Sequence, residues 1–152
     1  MYASNITVTR AEAAQSGGLS YSILESRVYF SASSITKSVS TKTGSHIYAD
    51  TGVIDITSCN FSVTPTTTSI WVKDVSLAIN DSEFINDNST DYGTEEDPVD
   101  IRGGILYLTD LRFLRISNSK FEGMNIADEG GAIYIQRLAL PVDDPIEMVI
   151  TN

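Results

Sequence analysis

The residues of this chain best suited to chemistry are the tandem acids Asp143-Asp144, the acidic run Glu95-Glu96-Asp97, one histidine, His46, and one cysteine, Cys59. Glycoside hydrolysis would need two carboxylates held about 5 to 9.5 Å apart. Pro141 and Pro145 bracket Asp143-Asp144, which assigns that pair to a turn, and Glu95-Glu96-Asp97 reads as a solvated acidic loop. One Cys and one His cannot complete the four-ligand N/S set of a zinc site. Cys59 sits in a column of small residues and reads as packed rather than reactive, and no GGxGxD calcium repeat occurs. The expectation is therefore a non-enzymatic chain with no catalytic, metal or cofactor-binding residues.

A second kind of chemistry is modification. Four sequons are present: Asn5-Ile6-Thr7, Asn60-Phe61-Ser62, Asn80-Asp81-Ser82 and Asn88-Ser89-Thr90. Such sequons mark surface positions of secreted chains. Asn60 should point outward from a strand and Asn88 lies in the longest loop, so these two are the preferred acceptors, with Asn80 behind them. Asn5, aligned with a buried corner, is the least suited. An extracellular or cell-surface glycoprotein is the expectation.

The net charge of −10, with only 10 scattered Lys and Arg, excludes a nucleic-acid partner, which would need clustered cations. No apolar run approaches the ~20 residues that span a bilayer as a helix. One cysteine cannot form a disulfide within the chain.

What must position all these residues is a repeat. Gly103-Gly104-Ile105-Leu106-Tyr107-Leu108 returns as Gly130-Gly131-Ala132-Ile133-Tyr134-Ile135, with Gly17-Gly18-Leu19-Ser20-Tyr21-Ser22 as a weaker copy. Anchored on Ser20, Ile47, Ile70, Leu106 and Ile133, the copies fall about 27, 23, 36 and 27 residues apart, within the range of stacked-repeat proteins. A second phrase starts at Val28, Ile54, Leu77, Leu114 and Met148 and advances in step with the first. Apolar residues alternate within both, so the elements are strands. Strands of about three to five residues cannot bury a face alone and must stack on the next copy. The reading is all-β: a right-handed parallel β-helix of about five coils, one segment over 1–152, with loop insertions about 86–102 and 136–147. Neither end shows a polar cap, so a segment of a longer rod is expected.

Three inward columns follow: Ile47, Ile70, Leu106 and Ile133; Ile56, Ile79 and Ile116; Phe61, Phe84 and Phe121, with Ile35 in the first coil. Ser58, Asp81, Asn118 and Asn152 share one corner, where Asn and Asp tolerate left-handed backbone angles. Ser33, Cys59, Ser82 and Ser119 stand beside it, and the paired glycines should relieve crowding at another corner. Alternation sends Tyr48, Trp71, Tyr107 and Tyr134 outward, with Tyr21 continuing the line. Such an aromatic column can stack on itself or serve as a docking face, since Tyr and Trp are favoured at contacts.

Ser119-Lys120-Phe121, a polar stretch, then Gly130-Gly131-Ala132-Ile133-Tyr134 resembles the repeats of polymorphic outer-membrane autotransporter passengers. It is equally similar to the large β-helix surface proteins of single-celled eukaryotes. The Phe84 and Val8 copies are looser. The Phe-x-x-Asn spacing is not kept, since Phe121 is followed by Asn125 and Phe84 by Asn86. The resemblance implies a β-helix with an adhesive, surface or scaffold role, whose partners are other proteins of a surface assembly or glycans. It transfers no catalytic residue.

Pectin lyases and polygalacturonases also use β-helices, so the alternative is a fragment of a carbohydrate-active enzyme. The Gly-His-Gly and Arg-x-Lys that a polygalacturonase-like site would add are missing, His46 lying in Gly44-Ser45-His46-Ile47. A lyase-like site would pair calcium-binding aspartates with a basic group that takes the proton, and Arg102, Arg112, Arg115 and Arg137 occupy unrelated places. An enzyme would set acids on the outer face of neighbouring strands, a scaffold in loops only.

Overall fold

The computed structural model describes residues 1–9, 11–13, 17–36, 38–40, 46–63, 68–86, 104–122, 131–137 and 147–152. Alternating apolar words become strands, and no helix occurs among these residues. One sheet of eight holds β1 (Tyr2–Ser4), β4 (Ser20–Ser31), β7 (Ile47–Thr57), β9 (Ile70–Asn80), β11 (Leu106–Thr109), β12 (Phe113–Ser117), β14 (Ile133–Gln136) and β15 (Glu147–Thr151). A second holds β2 (Thr7–Val8), β5 (Ser34–Ile35), β8 (Asn60–Val63), β10 (Glu83–Asn86) and β13 (Lys120–Glu122). A third pairs β3 (Ala11–Ala13) with β6 (Ser38–Ser40). All the pairings are parallel.

The register is that of the repeated words. Ser20 lies beside Ile47, Ile47 beside Ile70, Ile70 beside Leu106 and Leu106 beside Ile133. Val28, Ile54, Leu77, Leu114 and Met148 form the next line, and Phe30, Ile56, Ile79, Ile116 and Ile150 the one after it. In the second sheet Val8, Ile35, Phe61, Phe84 and Phe121 follow one another. Phe84 stacks on Phe61 at 4.7 Å and on Phe121 at 5.1 Å, with ring planes within 2° of parallel in both pairs.

These lines make one core. Ile47, Ile56, Ile70, Ile79, Phe84, Leu106 and Leu114 are fully buried, each contributing about 1.5 to 3 kcal/mol by leaving water. Burial falls on the outermost strands, where Ile133 is half-buried and Met148 and Ile150 are exposed.

Two expectations need correction. The strands are not uniformly short: β4 runs 12 residues and β7 and β9 run 11. Each long strand joins both sequence phrases across a bend of positive φ, at Glu25 in β4, at Thr51 and Gly52 in β7 and at Asp74 in β9, because parallel pairing resumes on either side of the bend. At Gly131 the requirement is conformational rather than steric, since its φ is +23° and an added Cβ would meet nothing within 4 Å.

Asn86 closes β10, Gln136 closes β14 and Glu147 opens β15. The bodies of both expected insertions, with Asn88, Glu95, Glu96, Asp97, Asp143 and Asp144, lie outside the described residues.

Candidate functional site

Alternation dictates that whatever follows an inward aliphatic faces away from the core, and the residues in that place are aromatic. Tyr21, Tyr48, Trp71, Tyr107 and Tyr134 stand in register on β4, β7, β9, β11 and β14. Their rings are stacked, with centroids 4.9, 4.6, 5.9 and 5.2 Å apart in that order and interplanar angles of 9°, 1°, 6° and 21°. Parallel strands sit about 4.8 Å apart, which is why aromatic rings in register, Tyr on Tyr or Tyr on Trp, stack almost face to face.

That geometry decides what the column can offer. The faces of Tyr48, Trp71 and Tyr107 are each covered by a ring on both sides, so a ligand approaching from the side meets ring edges and phenol groups. Tyr48, Trp71, Tyr107 and Tyr134 are half-buried, while Tyr21 is 60% exposed. The Tyr107 hydroxyl donates to Gln136 Oε1 at 3.2 Å. Burial pushes the Tyr48 phenol above its ordinary value, and the neighbouring Asp50 carboxylate and Tyr21 add to the effect.

A polar corner borders the opposite end of the first sheet. Asn5, Ala32, Ser58, Asp81 and Asn118 all have positive φ, between 46° and 54°, and all are exposed. The backbone N–H of each donates to the carbonyl of the next repeat: Asn5 to Ser31, Ala32 to Thr57, Ser58 to Asn80, Asp81 to Ser117 and Asn118 to Thr151, at 3.0 to 3.1 Å. Asn118 Nδ2 also donates to Asp81 Oδ1 at 3.1 Å.

One residue further, small polar side chains repeat a single pattern. Ser82 Oγ donates to Asn80 O at 2.7 Å and accepts the Cys59 N–H at 3.1 Å. Ser119 Oγ does the same with Ser117 O and the Ser82 N–H, and Ser33 Oγ with Ser31 O and the Ile6 N–H. Cys59 takes this place with its Sγ donating to Thr57 O at 3.3 Å. Burial pushes the Cys59 thiol up, against the opposing effect of backbone hydrogen bonds at Ser33 and Thr57.

The sequons land in different settings. Asn60 is exposed on β8, as expected of an outward strand residue. Asn80 is half-buried and its Oδ1 accepts the Ser117 hydroxyl at 2.7 Å. Asn5 reverses its expectation: it is exposed, because the corner it shares turns outward in every repeat.

Other features escaped the sequence reading. His46 is fully buried at the bend leading into β7, in line with Leu19, Ser69, Ile105 and Ala132. Its Nδ1 lies 2.7 Å from Ser69 Oγ, the backbone of Ser62 hydrogen-bonds the ring as well, and Phe61 meets it edge-on at 5.3 Å. Burial lowers its pKa from 6.5 to about 4. A second bend collects Glu25, Thr51, Asp74 and Asp110, all of positive φ. There the exposed Arg112 guanidinium grips both Asp74 oxygens, at 2.6 and 2.8 Å. The available signal was position: Thr51, Asp74 and Asp110 each stand three residues after the aromatic.

Comparison with known protein families, characterised proteins and solved structures finds no match. Among the described residues no group of three His, Cys, Asp or Glu is placed to hold a metal ion, and no helix is long and apolar enough to cross a membrane.

Proposed function

We propose that this chain is a right-handed parallel β-helix module of an extracellular or cell-surface protein, structural or adhesive rather than catalytic, which meets proteins or glycans along its aromatic side. The observation that carries the reading is the unbroken ring column from Tyr21 to Tyr134 on a rigid parallel stack. Repeats that pair only with their neighbours make a stiff rod, and a line of ring edges and hydroxyls along it suits contacts that are apolar at the centre and polar at the tip. Glycan-array binding compared between the native chain and a Trp71→Ser, Tyr107→Ser double variant tests this. Loss of binding with an unchanged circular dichroism spectrum supports the docking face; equal binding by both rejects it.

The rival reading, a fragment of a carbohydrate-active enzyme, has one observation on its side. Acids do occur on strands, among them Asp50, Asp55 and Glu83, rather than in loops alone. Their partners in register are Lys73, Ala78 and Lys120 rather than a second carboxylate. Asp74 and Asp110 are the neighbouring pair, and Asp74 is held on both oxygens by Arg112. Release of reducing sugar from pectic or other acidic polysaccharide, lost on Asp110→Asn, would favour the rival.

A further inference from the structure

We infer that Asn5, in Asn5-Ile6-Thr7, is an acceptor for an N-linked glycan. The inference rests on the extracellular part of the reading above, because the sequon is used on secreted chains.

Asn5 occupies the left-handed corner with a φ of 54°. Its exposure belongs to the corner and not to its place in the first repeat: Ser58 and Asp81, flanked by repeats on both sides, are exposed as well. What differs along the corner is the neighbour. Asn118 commits its Nδ2 to Asp81 Oδ1. Asn5 stands beside Ala32, since Ser4 pairs with Ser31, and a methyl group cannot accept a hydrogen bond. Ala32 also empties the corner, leaving a shallow open groove lined by Asn5, Thr7, Ala32, Ser34, Ser58 and Asn60. Thr7, which supplies the sequon hydroxyl, is exposed on β2.

Asn80-Asp81-Ser82 shows the opposite arrangement. Ser82 is fully buried with its hydroxyl committed in both directions, and Asn80 sits between Thr57 and Ser117 with Oδ1 engaged. A glycan is attached before folding is complete and must then fit the folded surface. The groove beside Asn5 and Asn60 accommodates one; the Asn80 position forces the Thr57 and Ser117 side chains aside.

The full chain translated behind a secretion leader in the presence of microsomes tests this by gel mobility and by protease resistance of the glycosylated product. Asn5→Gln and Thr7→Ala should each lose one glycan increment, Thr7→Ser should keep it, and the Asn5-glycosylated chain should be as protease-resistant as the enzymatically deglycosylated one. Migration of Asn5→Gln and Thr7→Ala like the native chain overturns the site, as does an Asn5 glycan confined to protease-sensitive chains. Modification at Asn60 without Asn5 overturns the site and leaves the extracellular reading standing. Modification at Asn5 with undiminished binding by the Trp71→Ser, Tyr107→Ser variant keeps the site and removes the aromatic docking face.

Discussion

The two bends of the large sheet solve the same problem by different means. At the Asn5, Ala32, Ser58, Asp81 and Asn118 corner, the left-handed residue is followed in every repeat after the first, where Ile6 stands, by a small side chain whose Sγ or Oγ hydrogen-bonds backbone groups. At the Glu25, Thr51, Asp74 and Asp110 bend the left-handed residue recurs, but the register slips between Ile23 and Ser26, and the fourth repeat carries one extra residue between Asp110 and Phe113. A bend locked by buried hydrogen bonds tolerates no insertion, because every added residue would orphan a donor in the next repeat. A bend resting on backbone conformation and the Arg112–Asp74 ion pair tolerates one.

Breaking the looser bend through its backbone should have the largest effect. Gly52 has a φ of +148°, and a Cβ there would lie 2.1 Å from the Ser26 carbonyl oxygen. Gly52→Ala should therefore destabilise the fold by about 3 kcal/mol or more, measured by urea unfolding. A loss below about 1 kcal/mol would show that β4 and β7 can separate at this point without harm.

Acid should come next, acting at neither of these bends but at His46. Its folded pKa of about 4 lies below the ordinary 6.5, so the unfolded chain binds the proton more readily. Stability from this residue is complete above pH 6.5 and declines as pH falls toward 4, by about 3 kcal/mol in all. His46→Gln should flatten the dependence of the thermal midpoint on pH over that window. An unchanged slope would mean that His46 is solvated before the chain unfolds.

The locked corner can be loosened one hydroxyl at a time. Ser82→Ala strands the buried Cys59 N–H and a lone pair of Asn80 O, and should destabilise by about 1 to 3 kcal/mol. Ser82→Cys should lose less, because Cys59 already fills the equivalent place with a thiol. Equal losses for both would indicate that side-chain size, not hydrogen bonding, holds this corner.

The smallest effect is a gain. Ala32 adopts a φ of 47° that Asn adopts more readily, so Ala32→Asn should stabilise by about 0.5 to 1 kcal/mol. No gain in the urea midpoint would place the strain elsewhere in the corner.

Much of this was legible in the chain because in a stack of repeats the neighbour across each strand pair is the same position of the next copy. Ile56, Ile79 and Ile116 could be placed side by side, as could Phe61, Phe84 and Phe121, from alternation and spacing alone. Ser58, Asp81 and Asn118 gave away their corner because few residue types accept a left-handed backbone. Glu25 and Thr51 did not, since nothing in their chemistry favours that conformation; parallel pairing on both sides imposes it. For the same reason the length of β4, β7 and β9 was hidden.

Sequence by itself determined the all-β class, the register, the inward columns and the line from Tyr21 to Tyr134. Only the tertiary structure decided that those rings cover one another's faces, that His46 turns into the core, that Arg112 holds Asp74 and that Asn5 stands in the open. The physical reason is that order along the chain fixes which residues meet, whereas ring orientation, bend direction and access to water depend on the spacing of strands and on the side chain, large or as small as Ala32, that happens to stand alongside.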